Sequence, residues 1–283
     1  MCNKAILFFV NFGGKMQRRI LIVDDHDDLA SALSEVFGKT GYFVKITESR
    51  DEAMRLDETH DYDVVITDLD GDKAFPKESS QQIEDVCLPE NISGDQDRSN
   101  VKAFKVCATH FRRDEFDEDE LKNLFETVLN YKAQFVDSQK MVQEIREKIE
   151  FVFPSAIGLM NCILDYLMKR VEKVGVINPE SSNLFIALDE AFVNAVKHGN
   201  KFDANKIVKV SAEVSTKEAR FTIEDEGEGF DVSAIPDPTN PENLFKTSGR
   251  GVLFIHNIMD EVTYNERGNR LTMIKKSDNH KEN

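Results

Sequence analysis

The sequence predicts an α/β unit with a parallel sheet, then a helical linker, then an α+β sandwich with its helices on one face. Three observations carry this prediction. Short apolar runs alternate with helical patterns from Arg19 to Asp68. Apolar positions then recur at alternating steps of three and four from Leu121 to Ile149. Finally, two helical patterns between Ala156 and Lys201 precede three runs rich in β-branched residues.

The first run, RILIVDD, is apolar and closes on paired acids, as a buried parallel strand ending at a site would read. Behind it Leu29, Ala32, Leu33, Val36 and Phe37 recur at helical spacing, with Gly41 as the natural stop. YFVKITE is a second strand, SRDEAMRLDE a second helix opened by Ser49 with Glu52 three residues on, and DVVITD a third strand. Such alternation with short connections places ligands at the carboxyl ends of the strands. From Gly71 to Asn100 polar and turn-forming residues dominate, which reads as a surface excursion whose core candidates are Ile83, Val86 and Leu88. VKAFKVCAT resumes as a strand and DEDELKNLFETVLNYK starts a helix.

In that helix Leu121, Leu124, Val128, Tyr131, Phe135, Ser138, Val142, Ile145 and Ile149 follow a heptad, with Ser138 its polar member. The pattern predicts a coiled-coil linker and a parallel homodimer, the alternative being that the first two turns pack on the N-terminal sheet. After Pro154, AIGLMNCILDYLMKRVEKVG and SNLFIALDEAFVNAVKHGNK are helices, and KIVKVSAEVS, ARFTIEDEG and LTMIKK are strands. The boundaries that follow are an extension at 1–17, a first domain at 18–116, a linker at 117–150, a second domain at 151–276 and a tail at 277–283.

A chain of 283 residues supports two domains. With 36 Lys+Arg against 52 Asp+Glu the net charge is −16, which disfavours nucleic-acid and anionic-membrane binding. The four cysteines never fall in a CxxC spacing, consistent with a reducing cytoplasm. No apolar run approaches the roughly 18–20 residues that span a bilayer. The stretch Ala5 to Val10 is short for a signal peptide.

Asp24, Asp25 and Asp68 end two strands, so in a parallel sheet their carboxylates converge on one rim, where mutual repulsion calls for a hard cation such as Mg2+. Glu190, Asn194 and His198 stack on one helical face at intervals of four. A carboxylate and a carboxamide so placed can orient a hydroxyl nucleophile and hold nucleotide-bound Mg2+. Asp225 ends a strand and can accept a hydrogen bond from an exocyclic amine, while Gly227 and Gly229 let backbone approach a ring. Gly249 and Gly251 begin an apolar-periodic helix, a phosphate site of free N–H groups.

The segment from ILIVDDHDDL to DYDVVITDLDG resembles a response-regulator receiver domain, over roughly residues 18–131. The resemblance implies that Asp24 and Asp25 hold Mg2+ and that Asp68 accepts a phosphoryl group from an upstream histidine kinase. Two departures stand out: LDGDKAF follows Asp68 where receivers carry Met-Pro, and no Lys-Pro pair occurs. The switch hydroxyl is then Thr109, or the charge partner of Asp68 is Lys105, Arg112 or Arg113. Residues 150–276 resemble the histidine-kinase-like ATPase fold, and more narrowly the anti-sigma-factor serine kinases of bacterial partner switching. That resemblance implies ATP and Mg2+ as cofactors, with Mg2+ on Asn194, Glu190 activating the acceptor hydroxyl, Asp225 reading adenine, and Gly249, Arg250 and Gly251 flanking the phosphates. His198 belongs to the same ATP-binding set, and Thr272 is expected beside Asp225. The implied partners are an anti-anti-sigma-type protein and a sigma factor. A histidine kinase would carry its acceptor just before this domain, yet no histidine lies between His110 and His198. The rival reading is a non-catalytic ATP-binding module that sequesters a partner, with a pseudo-receiver for dimerisation.

Overall fold

The computed structural model describes residues 17–26, 28–56, 62–71, 101–111, 116–138, 146–177, 183–232 and 250–277. The N-terminal half supplies β1 (Arg19–Asp24), α1 (Asp28–Lys39), β2 (Phe43–Thr47), α2 (Arg50–Met54), β3 (Val64–Asp70), β4 (Val101–Cys107) and α3 (Glu118–Ser138). The C-terminal half supplies β5 (Arg146–Pro154), α4 (Gly158–Val174), α5 (Leu184–Val193), β6 (Ile207–Val214), β7 (Glu218–Asp225), α6 (Arg250–Ile258), β8 (Glu261–Tyr264) and β9 (Arg270–Lys276). These strands form one sheet in the order β2-β1-β3-β4-β5-β6-β7-β9-β8.

Alternation along the strands divides the core in two. Ile20, Ile22, Ile66, Phe104 and Phe151 face the layer made by α1, α3, α4 and α5. Leu21, Val23, Val65, Ala103 and Val152 face the other way and pack with Ala53 of α2. Local signals explain the helix ends: Ser49 Oγ accepts from Glu52 N at 3.2 Å to open α2, and Gly175 closes α4 at φ 79°, a conformation a Cβ disfavours.

The sheet differs from the expected separate units in two ways. Only β2, β1 and β3 are mutually parallel in the N-terminal half, because β4 returns antiparallel to β3. In that register Asp68 faces Phe104 while Cys107 faces Val65, so Thr109 is carried to the end of the sheet away from Asp68. Thr109 is therefore not the switch hydroxyl of the acid rim.

The second difference concerns the linker. The coiled coil expected over 117–150 does not continue through 146–150, because Arg146–Pro154 is a central strand between β4 and β6. Ile149, Phe151, Val152 and Phe153 are buried there, as β-branched and aromatic residues are in an interior strand. The charged residues of this strand are paired. Glu147 receives the Arg170 guanidinium, and Glu150 lies 2.9 Å from Lys148 and 3.2 Å from Lys105. Lys105 is thus committed to Glu150 and is not the partner of Asp68. Leu121, Leu124 and Val128 are buried within the chain against its own core, which removes them from a dimer seam. Val142 and Ile145 lie outside the described residues, as do Arg112 and Arg113.

Helix α3 ties the halves together. Its Glu118 Oε1 accepts from Gly158 N at 2.6 Å, at the start of α4, and its Glu120 accepts from Tyr42 Oη at 3.3 Å beside β2.

Candidate functional site

At the rim of β1 and β3, Asp24 and Asp68 are directly paired across the ladder. Asp24 is buried, and its carboxylate caps α1, accepting from His26 N at 3.0 Å and Ala30 N at 2.9 Å. Both oxygens of Asp68 accept from Lys132 Nζ of α3, at 2.6 and 2.5 Å, and that ammonium lies 5.2 Å from the centroid of Phe104. Burial holds the Asp68 carboxyl above the usual carboxylate range; Lys132 opposes this, and Asp24 and Asp70 reinforce it. Asp25 lies 3.6 Å from His26 Nε2, which approaches Asp70 Oδ2 at 2.8 Å. Hydrogen bonding to Asp70 raises the His26 pKa, against the opposing effect of burial.

Asp24, Asp25 and Asp68, the acids expected to hold a metal, meet at this rim. Asp24 spends its oxygens on backbone amides and Asp68 on an ammonium. Among the described residues no three His, Cys, Asp or Glu side chains form a cation-binding group. The charge partner of Asp68 is Lys132, a residue outside every candidate named from the sequence. Its signal was available: Lys132 continues the buried stripe of Phe125, Val128 and Leu129, and a lone charge on an apolar helix face asks for a counter-ion.

The second site is a cavity of about 300 Å³ in the C-terminal half. Helix α5 runs into a π-helical turn, Asn194–Gly199, a local widening that recurs at functional sites. The turn brings Asn194, His198 and Gly199 to the cavity wall, where they meet Asp225 and Gly229. Asn200 is fully buried and fastens the turn, donating to Ile207 O at 2.8 Å and accepting from Glu226 N at 2.9 Å. Asp225 Oδ1 accepts from Gly227 N at 2.7 Å. A Cβ on Gly199 would run into the Asp225 carboxylate, and one on Gly227 into Gly199 O. Close approach rather than backbone angle fixes these two glycines. Burial raises the Asp225 pKa, with the Gly227 N–H opposing.

Glu190 lies one turn before Asn194, against the first turn of α6, where a Cβ on Gly251 would strike its Oε2. Arg250 opens α6, and Gly249 lies outside the described residues. Thr272 is not beside Asp225. It pairs with Thr222, Oγ1 to Oγ1 at 3.2 Å, and strand alternation turns its neighbour Leu271 to the cavity instead. Gly199, Asn200 and Asn269 were missed from the sequence; the first two directly follow His198, whereas Asn269 in a turn gave no signal.

Asp225→Asn keeps the shape but removes the charged acceptor, so ATP binding is expected to weaken about tenfold or more by calorimetry. If Asp225 reads the base, as the resemblance implies, affinity should also fall as pH drops through its raised pKa, since protonation removes the charge and leaves a weaker acceptor. Asp225→Asn should lose that pH dependence.

Residues 153–275 match the histidine kinase-like ATPase domain family, and residues 20–72 match the response regulator receiver domain family. The chain is also similar to the serine-protein kinase RsbW of Staphylococcus epidermidis, with 29% identity over 142 residues, covering 47% of this chain and 89% of the relative. The serine-protein kinase RsbW of Staphylococcus aureus strain Newman is similar to the same extent, 29% identical over 142 residues with the same coverage. Among the described residues no helix is long and apolar enough to cross a membrane.

Proposed function

Because the chain joins a response regulator receiver segment to a histidine kinase-like ATPase domain, we propose that it is an ATP-dependent protein serine/threonine kinase and anti-sigma factor of partner-switching type. The observation that carries this reading is the meeting of Asp225, Asn194 and His198 on one cavity, with Glu190 against the start of α6. Its volume suits a nucleoside, whose base amine would donate to Asp225. The Asn194 amide oxygen is a hard donor that would hold Mg2+ carried by the nucleotide, the ion neutralising phosphate charge. Glu190 would accept the proton of the partner's hydroxyl as that oxygen attacks the γ-phosphorus and the bond to ADP breaks. The carboxylate favours turnover over sequestration, since a clamp needs no base there.

The acceptor in this reading is a serine or threonine of a small anti-anti-sigma-type protein, and the kinase alternately holds a sigma factor. The similarity to proteins named serine-protein kinase supports the acceptor class. Incubation with labelled ATP and candidate partners should place acid-stable label on one of them. Label only on the chain itself, or none, would falsify the assignment.

A specific observation favours a second reading of the N-terminal half. Both oxygens of Asp68 accept from Lys132, so in this reading the half works as a pseudo-receiver that positions α3. Phosphorylation by an upstream histidine kinase is the competing view. Mg2+-dependent beryllofluoride binding that alters the rate of partner phosphorylation, and is abolished in Asp68→Asn, would decide for the competing view.

A further inference from the structure

Helices α5 and α6 pack on each other and run in opposite directions. The first leads into the Asn194–Gly199 turn, where Gly199 lies against Asp225. The second begins at that same end, with Gly251 against Glu190, and finishes at the far end of the sheet, where Ile258 O accepts from Lys275 Nζ at 2.6 Å near the close of β9. One turn back from Glu190 on α5 stands Ile186, and one turn on from Gly251 on α6 stands Phe254. Their neighbours Ala187 and Ile255 are buried, whereas Ile186 is 45% and Phe254 47% exposed. The core side of the helix pair is therefore closed, and Ile186 and Phe254 stand on its outer side.

Neither helix carries a charge along this stretch. Leu184 to Leu188 and Gly251 to Ile255 contain no Asp, Glu, Lys or Arg, in a chain whose composition is 31% charged. Such a window is a poor seat for a phosphate or a metal ion and a good one for an apolar side chain of another protein. Position selects the occupant. The hydroxyl that yields its proton to Glu190 belongs to a protein, and the residues flanking it must lie on the surface about one helical turn from the carboxylate, where Ile186 and Phe254 stand. The uncharged window is thus continuous with the transfer centre.

We propose that Ile186 and Phe254 form the seat for the acceptor protein, packing an apolar side chain that lies beside its serine or threonine and so bringing the hydroxyl to Glu190. The proposal rests on the kinase reading and adds the surface that selects the acceptor. It also sets a requirement on the partner: an exposed aliphatic or aromatic residue next to the hydroxyl that is phosphorylated.

The test follows transfer from labelled Mg-ATP to the anti-anti-sigma-type protein that the full chain labels, over a range of acceptor concentrations, beside calorimetry with Mg-ATP. Ile186→Ala and Phe254→Ala should each raise the KM for the acceptor about tenfold, as truncating an interface anchor does, with kcat and ATP affinity unchanged. Phe185→Ala is the control. Phe185 is exposed to a similar degree, at 41%, but stands about 100° around α5 from Ile186, so its loss should leave transfer as it was. An acceptor KM that is unchanged in both variants, or that rises equally in Phe185→Ala, would overturn the seat and leave the kinase reading standing. ATP affinity that falls in both variants would assign the pair to the nucleotide site and overturn it too. So would light scattering that finds the natural chain dimeric and Phe254→Ala monomeric, since a second copy would then cover the window. If the natural chain labels no partner at all, the kinase reading itself fails and the seat with it.

Discussion

Glu190→Gln is expected to lower phosphate transfer to a partner hydroxyl by about 10²–10⁴-fold while ATP affinity is retained. The variant suits the question because Gln matches Glu in shape. Gly251 still fits beneath the side chain, so α6 keeps its place, and the change is confined to the ability to take a proton. Single-turnover transfer at saturating ATP separates chemistry from binding: the loss should appear in kcat and not in the nucleotide KM. A variant that transfers normally would show that Glu190 is a packing residue of the α5–α6 contact. One that loses ATP binding and transfer together would place its role in nucleotide binding.

Lys132→Met should destabilise the fold by about 3 kcal/mol in chemical denaturation, the lower end of the cost of removing one partner from a buried ion pair. Both side chains are enclosed, at 11% exposure for Lys132 and 15% for Asp68, so solvent screening offsets little of it. The pH dependence identifies the cause. Without the ammonium, the remaining influences of burial, Asp24 and Asp70 all favour the protonated carboxyl, so the folded-state pKa of Asp68 lies further above its unfolded value. The penalty is then full at neutral pH, where Asp68 must be charged in the unfolded chain, and shrinks as pH falls through the folded-state pKa. Adding Asp68→Leu should recover part of the loss at neutral pH, because an apolar pair replaces a lone buried charge. A penalty that is flat with pH and unrelieved in the double variant would mean that Lys132 acts through its stem packing on Phe104.

The C-terminal half was legible because its patterns are local. Strand alternation in β6 and β7, the αL stop at Gly175 and the four-residue spacing of Glu190 and Asn194 each report on neighbours within a few residues. The errors arose where distant partners decide. Nothing near β5 shows that Glu147 and Glu150 have buried counter-charges on α4 and β4, so the spacing of three and four that ends at Ile149 read as a helix. Lys132 carried a local signal as a charge on an apolar helix face, but the carboxylate it pairs with lies 64 residues away. The direction of β4, antiparallel to β3, was not legible either, because composition alone does not set a strand's sense. Thr272 was misplaced by one residue, enough in a strand to turn a side chain to the opposite face.

The ladder between β4 and β5 has a mechanical meaning. Seven residues of each strand run in register across it, from Val101 opposite Arg146 to Cys107 opposite Val152. Among the described residues the two halves are joined at that seam by hydrogen-bonded strands of one continuous sheet. Excising the ATPase half from residue 151 onward would cut β5 in its middle. It would strip the neighbour from what remains and leave a raw edge with Phe151 and Phe153 beside it, an invitation to aggregate. The protein is better regarded as one material body with two kinds of chemistry at its ends than as two modules on a tether.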